Sequence, residues 1–241
     1  GLDFLTDGTH RIGSGEDCAF RYTNLTAPVV GMFIVQGANV RFRSASDGIL
    51  LDGQPLAGEA SLVADDAGTP SVIRNGSLSS TLVLRNGALA LRVRDNASPV
   101  RTGFRGIDLY PYDPALVITA DVTPAAPGET VPIANVTGFV EETPIVARVR
   151  FLLAGDPREF VATAGAEGRL FVVFGDATNG RETYGGGRFL ELPAPNDGRT
   201  TIDFNRATNP PCSFTAFATC PTPPFGNRLP IAVRGGERAP R

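Results

Sequence analysis

The side chains best suited to chemistry lie in the last third of this chain, where polar groups stand beside prolines and glycines. Two of them, Arg188 and Arg228, could anchor a small anionic or amide-bearing ligand, because a guanidinium presents a rigid fork of donors. Two acids, Asp176 and Glu182, could transfer protons to and from such a ligand. The alternative is an internal polar network that pins a proline-rich tail to a sheet. The complete candidate set is Asp176, Glu182, Tyr184, Arg188, Asp203, Asn205, Asn209, Arg228 and Glu237.

The cysteines and the single histidine predict neither a metal centre nor a nucleophile–base pair. His10 is far in sequence from the other reactive side chains and is predicted to lie at the surface. Cys212 and Cys220 have prolines beside them and no histidine nearby, whereas zinc requires four ligands. They are expected to form either a disulfide or two packed free thiols, depending on the compartment. Cys18 is predicted to be a core residue, and no metal or cofactor is expected.

Composition limits the partners of the protein. The chain has 241 residues and a formal charge of −3, which argues against a nucleic-acid-binding surface. No apolar run is long enough to span a bilayer. Peripheral association with a membrane complex is compatible with the sequence. The pattern is that of a bacterial-type soluble domain, cytoplasmic or periplasmic. The abrupt start at Gly1 fits a mature or partial chain, and a native start is the alternative.

Lysine is absent, and all 22 basic residues are arginine. The simpler interpretation is a bias in coding composition. The alternative is selection for bidentate and stacked contacts that lysine cannot make.

Turn signals and short β-branched runs predict an all-β protein. Asx-Gly pairs such as Asn86-Gly87 suit hairpin turns with positive φ, and no amphipathic helix of ten or more residues is evident. A break in the strand pattern near residues 95–103 predicts two domains, 1–96 and 97–241. Strands are expected at residues 32–35, 39–43, 82–85, 88–93, 117–122, 145–153, 159–162, 170–174, 188–192, 200–204 and 230–233.

The N-terminal half resembles a degenerate forkhead-associated sandwich. Residues 11–56 carry the Gly and turn pattern of that fold, which grips phosphothreonine with Arg, Ser and Asn side chains. Here Ser14 follows Gly13 where the family has Arg, residues 27–31 offer neither Ser nor His, and Asp52 replaces the Asn. Because the Asp52 carboxylate would repel a phosphate, phosphopeptide binding is not expected.

The C-terminal half resembles the domain-of-unknown-function family 1684. The motifs are residues 176–190, residues 203–237 and Phe104-Arg105-Gly106, and the N-terminal part also fits the full-length pattern. Gly175 stands where members usually show Arg, and Gly226 where they usually show Glu. Loss of both charges is tolerable if the two normally pair. The array of short strands predicts a second β-sandwich or barrel with a proline-rich wrap. The resemblance implies no settled activity.

These patterns predict a non-catalytic interaction module, an accessory or structural subunit of a larger and possibly membrane-bound complex, with a protein partner. Phe214, Phe217 and Phe225, set among prolines, are candidate anchors for such a contact, or they seal the core. The alternative function is an enzyme or a small-anion-binding protein that uses the C-terminal polar set.

Overall fold

A computed structural model describes residues 1–240 and divides the chain into two compact β units, Gly1–Arg105 and Gly106–Arg241. Nearly all regular structure is strand, so the all-β prediction is confirmed. The division into two domains, 1–96 and 97–241, remains a prediction from the sequence.

The first unit is a sandwich of two sheets. One sheet has the order β1-β11-β10-β9-β6-β7 and the other the order β3-β2-β4-β5-β8. The elements are β1 (Leu2–Phe4), β2 (Gly8–Gly13), β3 (Phe20–Arg21), β4 (Gly31–Gln36), β5 (Asn39–Ser44), β6 (Leu50–Leu51), β7 (Gln54–Pro55), β8 (Glu59–Leu62), β9 (Val72–Asn75), β10 (Leu78–Arg85), β11 (Ala88–Asp95) and the one-turn helix α1 (Pro99–Thr102).

The core of this sandwich follows from alternation along its strands. Phe33 and Phe42 from one sheet pack in the same cluster as Leu82 and Leu91 from the other. Successive side chains of a strand point to opposite faces, so the residues between these apolar ones form the outer faces. The predicted β10–β11 hairpin is present, and Asn86 and Gly87 have φ of 53° and 73°, as its tight turn requires.

The second unit is built on a six-stranded sheet of order β18-β17-β16-β15-β12-β19 and a separate hairpin, β13-β14. Its strands are β12 (Val117–Pro124), β13 (Thr130–Ala134), β14 (Val140–Pro144), β15 (Ala147–Leu153), β16 (Asp156–Ala164), β17 (Leu170–Phe174), β18 (Arg188–Leu192) and β19 (Arg199–Asp203). Short 3-10 turns lie at Pro114–Leu116, Ala166–Gly168, Phe204–Arg206, Pro211–Ser213 and Phe225–Asn227.

The six-stranded sheet is strongly curved, because its edge strands β18 and β19 approach each other. Four phenylalanines fill the inside: Phe151, Phe160, Phe174 and Phe204, with ring centroids 4.9 to 6.3 Å apart. Strand β15 alternates buried and solvent-facing residues, as a sheet with one covered face requires. The curved sheet is closed by the C-terminal segment, residues 207–240, which we call the tail.

The strand predicted at residues 230–233 is wrong. This part of the tail runs as irregular chain, although its composition is β-like. The reason lies in its backbone partners: Val233 bonds through its N–H to Asp176 and through its carbonyl to Arg188. Side chains therefore satisfy the groups that a neighbouring strand would otherwise bind.

Candidate functional site

Arg188 and Asp176 form a fully buried ion pair at the centre of the candidate set. The Arg188 Nη2 to Asp176 Oδ2 distance is 2.7 Å, and both side chains are 0% exposed. Arg188 opens β18, and its guanidinium lies 5.1 Å from the centroid of the Phe174 ring. A buried pair of this kind persists only if further hydrogen bonds satisfy its remaining donors and acceptors.

Those further bonds come from the tail. Arg188 donates to the carbonyls of Gly235 and Val233, at 2.5 and 2.8 Å. Asp176 accepts from the backbone N–H groups of Thr178 and Val233. We call this arrangement of Asp176, Arg188 and residues 233–237 the tail clasp. Its charges are directed at the protein's own backbone, so Arg188 is not free to anchor a ligand.

The loop that carries Asp176 is ordered by side chains that sequence reasoning missed. Asn179 accepts from the Asp176 N–H at 2.7 Å and donates to the Thr183 hydroxyl and the Tyr184 carbonyl. The hydroxyls of Thr178 and Thr183 lie 2.7 Å apart and are buried. The sequence signal that could have predicted this ordered loop is the pattern Asp176-x-Thr178-Asn179, which is typical of an Asx-type turn.

Glu182 belongs to a second, more exposed group. Arg234 donates to both of its carboxylate oxygens, at 2.8 to 3.2 Å, and the Tyr110 hydroxyl donates at 3.1 Å. The hydrogen bonds from Arg234 hold the pKa of the Glu182 carboxyl below its usual value, because they favour the charged form. This acid is therefore ionised and paired, which does not suit proton transfer with Asp176.

Asn209 and Glu237 tie the tail to itself beside the tail clasp. The Glu237 carboxylate accepts from the Asn209 N–H at 2.6 Å, and the Asn209 amide donates to the Arg238 carbonyl at 2.7 Å. Within residues 1–240, Asn209 Oδ1 and Arg188 Nε are buried without a hydrogen-bond partner.

Asp203 and Asn205, two further members of the candidate set, form a separate local group. Asp203 caps the 3-10 turn Phe204–Arg206 by accepting from the Asn205 N–H. The Asn205 amide bridges to the backbone of Asp113, at 2.9 Å for the N–H and 2.8 Å for the carbonyl. Short-range capping and not a shared site therefore explains this pair.

Arg228, the second anchor predicted from the sequence, is not among the hydrogen-bond partners of Arg188. Its side chain is exposed, and it forms no ion pair in the described part of the chain. Tyr184 is half-buried at the end of the Asp176 loop and contributes its carbonyl, which accepts from Asn179. The nine candidate residues thus divide into several small groups.

Asn227 is the buried amide of this region, and sequence reasoning passed over it in favour of Arg228. It is 1% exposed, and its side chain accepts from the Val161 N–H and donates to the Val161 and Val173 carbonyls, at 2.8 to 2.9 Å. Strands β16 and β17 pair directly only at residues 163–164 with 170–171, and Asn227 joins them where they diverge. The sequence signal that could have identified Asn227 is its spacing from the apolar Leu229, because residues two apart share a face in extended chain.

Gly175 and Gly226, the two departures from the family pattern, lie close together. The Gly175 N–H donates to the Asn227 carbonyl and the Gly175 carbonyl accepts from the Leu229 N–H. A Cβ at position 226 would meet open space.

The backbone approaches its neighbours closely at Gly187. This residue has φ of 94°, and a Cβ there would collide with Pro223 and the Phe174 carbonyl.

Cys212 and Cys220 are joined as a disulfide, with Cα atoms 6.1 Å apart. Each cysteine N–H also approaches the partner's sulfur, at 3.1 to 3.2 Å. The Cys220 carbonyl accepts from the Val136 N–H, which holds this loop against the β13–β14 hairpin.

Replacing Cys212 with Ser should lower the free energy of unfolding by about 2 kcal/mol, because a cross-link over a short loop removes entropy from the unfolded chain. The measurement is denaturant unfolding of wild type and variant, with and without dithiothreitol. Reductant should lower wild-type stability to the level of the variant and leave the variant unchanged. Equal stabilities without reductant would show that the cysteines are packed thiols. Cys18→Ser, which removes the buried cysteine outside the disulfide, is the comparison for loss of a thiol alone.

This unit also has a cavity that the candidate residues do not line. A cavity of about 390 Å³ lies at the sheet end formed by Val122, Ala147, Leu170 and their neighbours, and none of the nine candidate side chains lines it. No group of His, Cys, Asp or Glu side chains in residues 1–240 is arranged to hold a metal ion. The helices of that same part of the chain are too short to cross a membrane.

Ser14 and Asp52, two residues at which the first unit departs from the forkhead-associated pattern, form internal hydrogen bonds. The Ser14 hydroxyl donates to the Ala27 carbonyl at 3.0 Å, and the Asp52 carboxylate accepts from the Val72 N–H at 2.7 Å. Cys18 is buried, as predicted, and the half-buried His10 ring bonds to the Thr6 carbonyl.

Comparison with known proteins relates the chain mainly to uncharacterized relatives. A family described as "Protein of unknown function (DUF1684)" matches residues 102–238. An uncharacterized protein of Haloarcula marismortui, solved by NMR, is 34% identical over 57% of this chain and 78% of its own, with a TM-score of 0.47. No curated protein matches.

Two forkhead-associated (FHA) domains are also among the structural neighbours, each with a TM-score of 0.27. The FHA domain of FhaA, solved in complex with the intracellular domain of Rv3910, is 20% identical over 39% of this chain and 97% of its own. The other, from an analysis of phosphothreonine-dependent FHA interactions, is 18% identical over 40% of this chain and 96% of its own.

Proposed function

Because the chain belongs to the DUF1684 family of proteins of unknown function, we propose its function from its own geometry: it is a non-catalytic interaction module, an accessory or structural subunit that acts by contact with a protein partner. The observation that carries this proposal is an exposed phenylalanine, Phe225, on a turn whose last residue, Asn227, forms three side-chain hydrogen bonds.

The candidate polar set supports the proposal because most of its charged groups are engaged internally. Arg188 and Asp176 bind each other and the tail, and Glu182 binds Arg234 and Tyr110. A catalytic acid or a ligand anchor must keep a donor or acceptor available to its substrate. These contacts favour a structural role for the polar set and leave function to the surface.

Phe225 has the properties of an interface anchor. It is 98% exposed, although a phenylalanine normally buries a large apolar area. Its turn, Phe225–Asn227, follows the buried Pro223 and Pro224 and ends at Asn227, whose amide is fixed by three hydrogen bonds. An apolar side chain that is already held in place loses little conformational entropy when it binds. Aromatic anchors of this kind tend to dominate binding energies.

Replacing Phe225 with Ser should release the protein from its assembly and leave the folded chain intact. The tagged protein is expressed in its native host, extracted gently and sized by gel filtration with light scattering. Wild type should elute in a complex larger than its own 25.3 kDa. We expect the variant to lose about tenfold in affinity, or about 1.4 kcal/mol, and to elute mainly as free chain.

Leu152→Ser is the matched control, because Leu152 is also in the second unit and 63% exposed. This control should remain in the complex, and both variants should match the wild-type melting temperature. A wild-type chain that runs as a free monomer and turns over a metabolite in an activity screen would overturn the proposal. So would equal release of both variants.

A further inference from the structure

Three arginines converge on the outer face of the β9–β10–β11 sheet in the first unit. In the strand register, Arg74 and Arg94 stand on either side of Ser79, and Arg92 stands beside Thr81 in the next row. These residues alternate with the core residues of the same strands, so their side chains share the face opposite the core.

The spacing of this cluster suits a single small ligand. Directly opposed residues on neighbouring strands have Cβ atoms about 5 Å apart. Arg74 and Arg94 are two strands apart, about 10 Å, with Ser79 between them. Arg92 and Arg94 are two residues apart on one strand, about 7 Å. Three guanidiniums on flexible stems can therefore meet over the Ser79 and Thr81 hydroxyls.

The positive charge of this cluster has no internal counter-charge. Arg74, Arg92 and Arg94 take part in no ion pair within residues 1–240, although most other arginines of the first unit do. The nearby acid, Asp65, is already paired with Arg85 at 2.8 Å.

The surroundings of Arg92 disfavour the charged form of its guanidinium. This residue is half-buried, and burial followed by the charges of Arg85 and Arg94 lowers the pKa of its guanidinium. The negative charge of an anion bound at this point would favour the charged form of Arg92 and so oppose this lowering.

The hydroxyls in the middle of the cluster are also available. Ser79 and Thr81 have no side-chain hydrogen-bond partner in the described part of the chain, although Thr81 is only 8% exposed. Hydroxyl donors between arginine side chains complement the several acceptor oxygens of a tetrahedral oxyanion.

We propose that Arg74, Arg92 and Arg94, with Ser79 and Thr81, form a binding site for a phosphate-bearing ligand on the outer face of this sheet. Arginine suits such a site because its planar fork donates to two oxygens of one phosphate. This use also gives a physical reason for arginine and not lysine at these three positions. The site is separate from the forkhead-associated positions Ser14 and Asp52, whose side chains bond internally.

The test is a titration of the full chain with sodium phosphate, followed by ¹H–¹⁵N NMR at constant ionic strength maintained with sodium chloride. The amides of residues 74, 79–81 and 92–94 should shift along one binding curve. Arg94→Gln and Arg74→Gln should each weaken phosphate binding about tenfold, or about 1.4 kcal/mol. Arg21→Gln removes an exposed arginine from the other sheet of the same unit and should change the affinity less than about twofold.

Vesicles distinguish the two sources of phosphate. If flotation with phosphatidic acid vesicles, and not with phosphatidylcholine vesicles, requires Arg74 and Arg94 while free phosphate binds weakly, the ligand is a lipid headgroup. If free phosphate binds and flotation does not occur, the ligand is a soluble phosphate compound. The proposal is overturned if phosphate shifts none of these amides, if sodium chloride alone produces the same shifts, or if Arg21→Gln weakens binding as much as Arg94→Gln.

Discussion

Replacing Arg188 with Ala should lower the free energy of unfolding by about 3 to 5 kcal/mol. We expect this loss to be the largest for any single substitution in the candidate polar set. The variant leaves the Asp176 carboxylate buried without its counter-charge and removes the donors to the Val233 and Gly235 carbonyls. Chemical denaturation monitored by circular dichroism measures the loss.

Arg228→Ala is the matched control, because it removes the same side chain from an exposed position in the same region. It should change stability by less than about 0.5 kcal/mol. A double variant, Arg188→Met with Asp176→Asn, should regain part of the loss, since it removes both charges and keeps an acceptor at position 176. Equal effects of Arg188→Ala and Arg228→Ala would contradict the tail clasp.

Replacing Asn227 with Ala should cost about 3 kcal/mol, because it strands three buried backbone groups of Val161 and Val173. The same change should loosen the turn that presents Phe225. Hydrogen exchange at the Val161 amide is the direct readout, since this N–H loses its acceptor and should exchange faster than in wild type.

Asn196→Ala serves as the control for Asn227, since Asn196 is an exposed amide in a turn of the same unit. It should leave both the unfolding curve and the Val161 exchange rate unchanged. Unaltered exchange in the Asn227 variant would mean that the amide does not join β16 and β17.

Sequence reasoning succeeded where alternation and turn chemistry are local. The predicted first and last residues of strands β17 and β18 match the structure, because their apolar residues are bounded by glycine- and loop-rich segments. The β13–β14 hairpin was missed, since Pro132 and Pro144 lie within it and most of its side chains are exposed. Proline in a strand pattern argues against a strand unless the strand is at an edge.

The candidate site could be predicted only in part, because its contacts connect residues far apart in sequence. An internal polar network was one of the two interpretations, and Asp176 and Arg188 were in the set. Nothing local distinguishes Arg188, which is buried, from Arg228, which is exposed. The cluster of Arg74, Arg92 and Arg94 could not be predicted for the same reason, since only the strand register places Arg74 and Arg94 on either side of Ser79.

The tail clasp also has a consequence for the order in which the second unit is completed during synthesis. The Val233 carbonyl that Arg188 binds lies 45 residues later in the chain. The Asn227 amide that Val161 binds lies 66 residues later. Until those residues have left the ribosome, β16 and β17 are unjoined where they diverge, and Arg188 has Asp176 as its partner but lacks its two carbonyl acceptors. Contacts of such long sequence separation slow folding and leave strand edges open in the meantime. The nascent second unit is therefore an open, aggregation-prone sheet that becomes a closed one only when its last residues arrive.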